Sequence, residues 1–109
     1  MKQLGLIGYP LGHSFSKKYY LEKFRIEGIE NIDYDLYPLS TIQEFPSLYQ
    51  DNPEFYGVNV TIPYKQEVMR YLTDLSVEAR EIGAVNCIQI RHESDGIKLT
   101  GFNTDAHGF

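Results

Sequence analysis

Residues 57–65 read GVNVTIPYK. Val58, Val60 and Ile62 alternate with Asn59 and Thr61, which is the period of a strand with one apolar and one polar face. Pro63 ends the strand, because proline brings no N–H to a ladder. Lys65 follows at once. An amide, a hydroxyl and an amine are therefore gathered at one strand end.

Working outward, residues 3–9 read as a buried strand with Leu4, Leu6 and Ile7. Residues 9–14, YPLGHS, form a loop rich in turn formers, and Ser16 is placed to cap a helix over 17–27 that Gly28 stops. Ile32, Tyr34 and Leu36 alternate against Asp33 and Asp35, a second strand over 32–39. Residues 40–49 carry helical spacing broken by Pro46, which predicts a bent or late-starting helix. After the 57–62 strand come a short helix over 65–72, a helix capped by Ser76, and a strand over 84–91. Asp95-Gly96 then signals a hairpin into 97–100. The order β-α-β-α-β-α-α-β-β predicts an α/β fold in three layers. Its sheet is mostly parallel with one antiparallel pair, and helices cover both faces.

The chain has 109 residues, enough for one domain over 1–109 and too few for two. Its 42% hydrophobic and 23% charged residues are those of a soluble globular protein. With a net charge of −5 and no basic run longer than Lys17-Lys18, the composition argues against a nucleic-acid partner. No segment reaches the roughly 20 apolar residues of a membrane helix, and the N-terminus lacks a signal-like apolar region. Cys87 is the only cysteine, so no internal disulfide forms and a cytoplasmic location is expected.

GLIGYPLG, residues 5–12, follows a strand but spaces its glycines as G-x-x-G-x-x-x-G, and Pro10 removes an N–H a phosphate cradle would use. No nucleotide site is expected there. Ser14 and Ser16 stand before a helix N-terminus, where hydroxyls, free N–H groups and the positive dipole end suit a carboxylate. Asn59 and Thr61 share a face near the carboxyl end of their strand, where open α/β sheets bind ligands. Lys65, read at the start of a helix, is electrostatically misplaced for helix stability. Asn86 is a polar residue in an apolar strand and needs partners if buried. In GFNTDAHG, Asn103 or Thr104 is a candidate helix cap and Asp105 a first-turn acid or a proton-handling partner of Lys65. Each has a plainer reading: a serine cap, a solvated lysine, a buried amide, an ordinary acidic first turn. His13, His92 and His107 lack metal-ligand spacing, so no metal is expected. No G-x-S-x-G elbow marks a serine hydrolase, and Cys87 reads as core.

Taken together, GYPLGHSFS, GVNVTIPYK, GAVNCI and GFNTD resemble, in order and spacing, the N-terminal substrate domain of the shikimate dehydrogenase family. The resemblance implies a reversible reaction in aromatic amino-acid biosynthesis, 3-dehydroshikimate plus NADPH giving shikimate plus NADP⁺. It implies that Ser14 and Ser16 hold the carboxylate. Asn59, Thr61, Asn86 and Asp105 then bond the ring hydroxyls, and Lys65, beside Asp105, moves the proton. It also implies that NADP(H) binds in a C-terminal Rossmann domain which this chain lacks, so the chain alone is expected to be inactive and oligomerisation stays open. Departures are Lys17 where the family carries proline, Tyr20 and Leu21 in place of histidine and asparagine, and Cys87 for a common threonine. Lys17 brings a positive charge to the first helical turn. Two alternatives stand beside this reading: a quinate/shikimate dehydrogenase using NAD, and a non-catalytic module binding shikimate-type ligands.

Overall fold

The computed structural model of the protein describes residues 1–11 and 15–104. Six strands among them form one sheet in the order β2-β1-β3-β5-β6-β4. β1 (Lys2–Gly8) is central to the first half and pairs in parallel with β2 (Ile32–Pro38) and β3 (Phe55–Val60). β5 (Cys87–Glu93) and β6 (Gly96–Phe102) make the expected antiparallel hairpin, and β5 also runs antiparallel to β3. β4 (Asp74–Leu75) pairs in parallel with β6. Five strands thus share one direction and β5 alone opposes them.

The sheet is covered unequally. On one face, Ile7, Val58, Val60, Ile88, Ile90 and Leu99 form a single cluster with side chains from residues 39–85. This cluster includes Ile42 and Phe45 around a 3₁₀ turn (Ile42–Glu44), Tyr49 of α2 (Pro46–Tyr49), Val68 of a second 3₁₀ turn (Glu67–Tyr71) and Ala79 of α3 (Val77–Ile82). Each fully buried side chain of this size contributes about 1.5–3 kcal/mol. On the other face lies α1 (Phe15–Ile26), with Lys17, Tyr20, Leu21 and Phe24 as its half-buried stripe. Tyr20 stacks on Tyr34 of β2 at 4.7 Å between ring centroids.

Local rules explain the element ends. Gly28 has φ 70°, and Gly28 N–H donates to Arg25 O while Ile29 N–H donates to Phe24 O, the paired bonds of a left-handed helix stop. Pro46 opens α2 rather than breaking a longer helix, because a proline tolerates the first helical position. Ser76 Oγ accepts from Ala79 N–H at 3.1 Å, and Gly83 at φ 77° closes α3. Several boundaries differ from the sequence reading. β5 begins at Cys87 rather than at residue 84, so Asn86 lies ahead of the strand and not within it. α1 begins at Phe15, so Ser16 lies inside its first turn rather than ahead of it. β3 spans 55–60, so Thr61 and Ile62 fall beyond it, and Ile62 is exposed rather than part of the apolar face. The segment after Lys65 is 3₁₀ and starts at Glu67, so Lys65 stands in the preceding turn and not at a helix N-terminus.

Candidate active site at the strand ends

The chain leaves β3 without losing contact with β1. Thr61 N–H donates to Ile7 O at 3.0 Å, and Tyr9 N–H donates to Ile62 O at 3.2 Å. The two segments pass so closely that a Cβ on Gly8 would lie 2.5 Å from Thr61 Cγ2 and 3.0 Å from Ile62 O. Only glycine fits there. Both loops contain a cis peptide, at Tyr9-Pro10 and Ile62-Pro63. Tyr64 N–H closes a turn onto Thr61 O, which brings Lys65 back toward the sheet as a half-buried residue.

On the other side of β3 the segment 84–86 acts as a splice. Val85 N–H donates to Lys65 O at 2.8 Å, and Val60 N–H donates to Asn86 O at 2.8 Å. Asn86 N–H donates to Phe102 O at 3.0 Å, and Asn103 Nδ2 donates to Ala84 O at 3.1 Å. The Asn86 side chain completes the join: its Nδ2 donates to Thr104 Oγ1 at 2.9 Å and its Oδ1 accepts from Thr104 N–H at 3.1 Å. Lys65 and Thr104, nearly forty residues apart, are therefore bonded to neighbouring residues of one segment. That proximity was beyond the reach of the sequence.

The expected site residues fall as follows. Thr61, Lys65 and Asn86 are half-buried around this splice. Asn59, also half-buried, lies one pleat below on β3, and its Nδ2 donates to the hydroxyl of Tyr34 at 2.9 Å. Ser16 is in the first turn of α1. Ser14 and Asp105 lie outside the described residues. Asn103, weighed as a helix cap, has its amide nitrogen on Ala84 O and is buried at 6% exposure. Thr104, weighed only as a helix cap, and Tyr34, read only as a strand residue, carry parts of the arrangement. Thr104 had a signal, its place in NTD. Tyr34 had none, since alternation alone put it in a strand.

Charges around the site are ordered locally. Lys17 turns away to Asp35 of β2, with Nζ at 3.1 Å from Oδ1. The Leu36 N–H and then the Lys17 ammonium hold the Asp35 carboxyl below the usual carboxylate range. Cys87, read from the sequence as core, is half-buried outside the core cluster, and burial pushes its thiol up. Beneath the strand ends, on the thinly covered face, an open trough of about 340 Å³ is lined by Leu4, Tyr20, Phe24, Tyr34, Asn59 and Cys87 among others. Its polar side chains are Asn59, Gln89 and the tyrosines Tyr20, Tyr34 and Tyr56. A larger depression on the outer side of α1, around Tyr19 and Lys23, is a solvated helix face far from these groups. No cluster of metal-ligating side chains occurs among the described residues, and none of their helices is long and apolar enough to cross a membrane.

Comparison with known proteins agrees with this geometry. The family model described as shikimate dehydrogenase substrate binding domain matches residues 6–88. Shikimate dehydrogenase (NADP(+)) of Halothermothrix orenii is 44% identical over 97% of this chain and 35% of its own length. The crystal structure of shikimate dehydrogenase 1 from Peptoclostridium difficile matches with a TM-score of 0.83 at 38% identity, covering 99% of this chain and 38% of that one. The Thermus thermophilus enzyme, solved in complex with shikimate, matches with a TM-score of 0.82 at 34% identity, covering 100% of this chain and 40% of that one. The chain thus spans little more than a third of the length of the proteins it resembles.

Proposed function

The chain belongs to the family of shikimate dehydrogenase substrate-binding domains, and from that premise we propose that it binds shikimate and 3-dehydroshikimate at its strand ends. In this reading residues 1–109 are one domain, the substrate half of an NADP-dependent dehydrogenase. The observation that carries it is the splice at 84–86, which bonds to Lys65 on one side and to Thr104 on the other. It supports the reading by bringing the backbone at Lys65 and the Thr104 that precedes Asp105 in sequence against one short segment.

Reduction of a ring ketone builds negative charge on its oxygen. A lysine ammonium within reach stabilises that charge and delivers the proton, and in the reverse direction the amine takes the proton from the hydroxyl. Lys65 has this role, with Asp105 as its partner in proton handling. Thr61, Asn59 and Asn86 bond ring hydroxyls, and Ser14 and Ser16 take the carboxylate near the start of α1. A site that bonds each hydroxyl rejects analogues lacking one, because its polar groups are then left unpaired. The described residues offer a dinucleotide no cradle: Pro10 lacks an N–H and Gly8 is committed to the approach to Thr61. NADP(H) would be held by a part of the enzyme outside this chain, where it supplies the hydride. With net charge −5 no nucleic-acid partner is expected, and one free cysteine fits a cytoplasmic enzyme.

The test is a titration of the ¹⁵N-labelled chain with shikimate, repeated with Lys65→Ala and with an analogue lacking the carboxylate. Shifts should centre on Ser14, Ser16, Asn59, Thr61, Lys65, Asn86 and Asp105. The analogue should lose the shifts at the serines. A folded chain without shifts at millimolar shikimate would rule out binding by this domain on its own.

A further inference from the structure

We propose that Tyr34 is a positioning residue: it fixes the side-chain amide of Asn59 with the oxygen toward the ligand, so that this position reads a hydroxyl that donates. The proposal rests on the reading of Asn59 as a substrate contact. Three observations carry it. First, Tyr34 is 2% exposed, yet of the described buried apolar side chains it alone stands outside the main core cluster. It is buried on the thin face, where α1 covers it and Tyr20 stacks on its ring. Second, its hydroxyl reaches past the intervening strand. Tyr34 pairs with Leu4 of β1, Leu4 pairs with Gly57, and Asn59 lies two residues further along β3. The hydroxyl therefore meets the amide from the side opposite the carboxyl end of β3. Third, the bond is Asn59 Nδ2 to Tyr34 Oη at 2.9 Å, so Oδ1 is the amide atom left for the strand ends.

The hydroxyl keeps its proton at any physiological pH, since burial pushes the Tyr34 pKa up to about 12. The hydroxyl therefore stays a neutral acceptor for Asn59 Nδ2 across the working range. An amide held this way has one N–H committed to Tyr34 and keeps Oδ1 as its acceptor for the ligand. A ligand hydroxyl satisfies it, whereas a missing hydroxyl leaves a half-buried carbonyl oxygen unpaired. The plainer alternative is that Asn59 is there only to satisfy a buried tyrosine. That role would support folding and leave ligand discrimination untouched.

The experiment measures affinities of this chain for shikimate and for analogues each lacking one ring hydroxyl, in the native chain, Tyr34→Phe and Asn59→Ala. Tyr34→Phe keeps the ring and the stack. The native chain should bind one analogue at least about tenfold more weakly than shikimate. In Tyr34→Phe, shikimate itself should bind roughly five- to tenfold more weakly, and the penalty for that one analogue should shrink. Discrimination in Tyr34→Phe equal to that of the native chain overturns the proposal and leaves the site reading standing. Unchanged shikimate affinity in Asn59→Ala removes Asn59 from the site, and the proposal falls with it. A readout without ligand comes from the Asn59 side-chain amide protons, expected to exchange slowly in the native chain and fast in Tyr34→Phe. Equally fast exchange in both overturns the fixed amide directly.

Discussion

Thr104 and Asp35 show how single side chains divide the labour between site and scaffold. Thr104 Oγ1 is the acceptor for Asn86 Nδ2, and valine in its place removes that acceptor while keeping the shape. Thr104→Val should weaken shikimate binding by about two- to tenfold, in line with one lost hydrogen bond, and Thr104→Ser should restore it. Calorimetric affinities equal to the native value in Thr104→Val would detach the Asn86–Thr104 clamp from the site. Asp35 is a scaffold residue. Its carboxyl is held low by Leu36 N–H and by Lys17, so its charge stabilises the fold above the ordinary carboxylate pKa. That contribution is lost as pH falls through the lowered folded-state value. With the pair 39% and 49% exposed, solvent screening limits it to under about 1 kcal/mol. Asp35→Asn should therefore be slightly less stable than the native chain near neutral pH and indistinguishable from it in acid. Urea unfolding at pH 7 and at low pH measures this, and a difference that persists in acid would contradict the assignment.

The elements owe their ends to a few backbone-specific positions, and these were legible. Gly28, Pro46, Ser76 and the hairpin before Gly96 all act as turn chemistry predicts, because each works within a few residues of chain. What was not legible depends on partners far away. β4 is two residues long and exists because β6 lies beside it. Gly101 of β6 leaves room beside it: a Cβ there would meet Leu72 at 2.5 Å, Val85 at 2.9 Å and Leu75 of β4 at 3.2 Å. The turn at 61–65 was read as strand and helix start because Ile62 and Lys65 match those periods locally. The hydrogen bonds to Ile7 and Val85 override them. The cap residues give a separable prediction. Gly28→Ala forces a side chain into φ 70° and should cost about 1 kcal/mol. Ser76→Ala removes the bond to Ala79 N–H and should cost about 1 kcal/mol. The positions share no partners, so the double variant should lose about the sum in urea unfolding. A markedly smaller loss would mean that one helix end frays without consequence.

At the scale of the molecule, the sheet is a partition between a thick core and a thin cover. The thick side holds the buried cluster from Ile7 to Leu99, and the thin side holds α1, Tyr34 and the open trough. The strand ends carrying Thr61, Lys65 and Asn86 are anchored to the thick side through Val58, Val60, Val85 and Ile88. Ser16, by contrast, is in the first turn of α1 on the thin side. With the roles proposed above, Lys65 is tied to the thick side and Ser16 to the weaker layer. This arrangement predicts unequal energetics for substitutions on the two faces. Ile88 is 1% exposed within the cluster, and Ile88→Ala should cost about 2–5 kcal/mol. Phe24 is only half-buried on α1, and Phe24→Ala should fall below the roughly 3–5 kcal/mol of a fully buried phenylalanine. Function should show the reverse order. While the chain stays folded, Phe24→Ala should disturb the amide shift of Ser16 more than Ile88→Ala does, because it loosens the layer that carries it. Equal perturbation of Ser16 by both substitutions would mean that the two faces respond as one body, and that the thin cover is not where the carboxylate site gives way first.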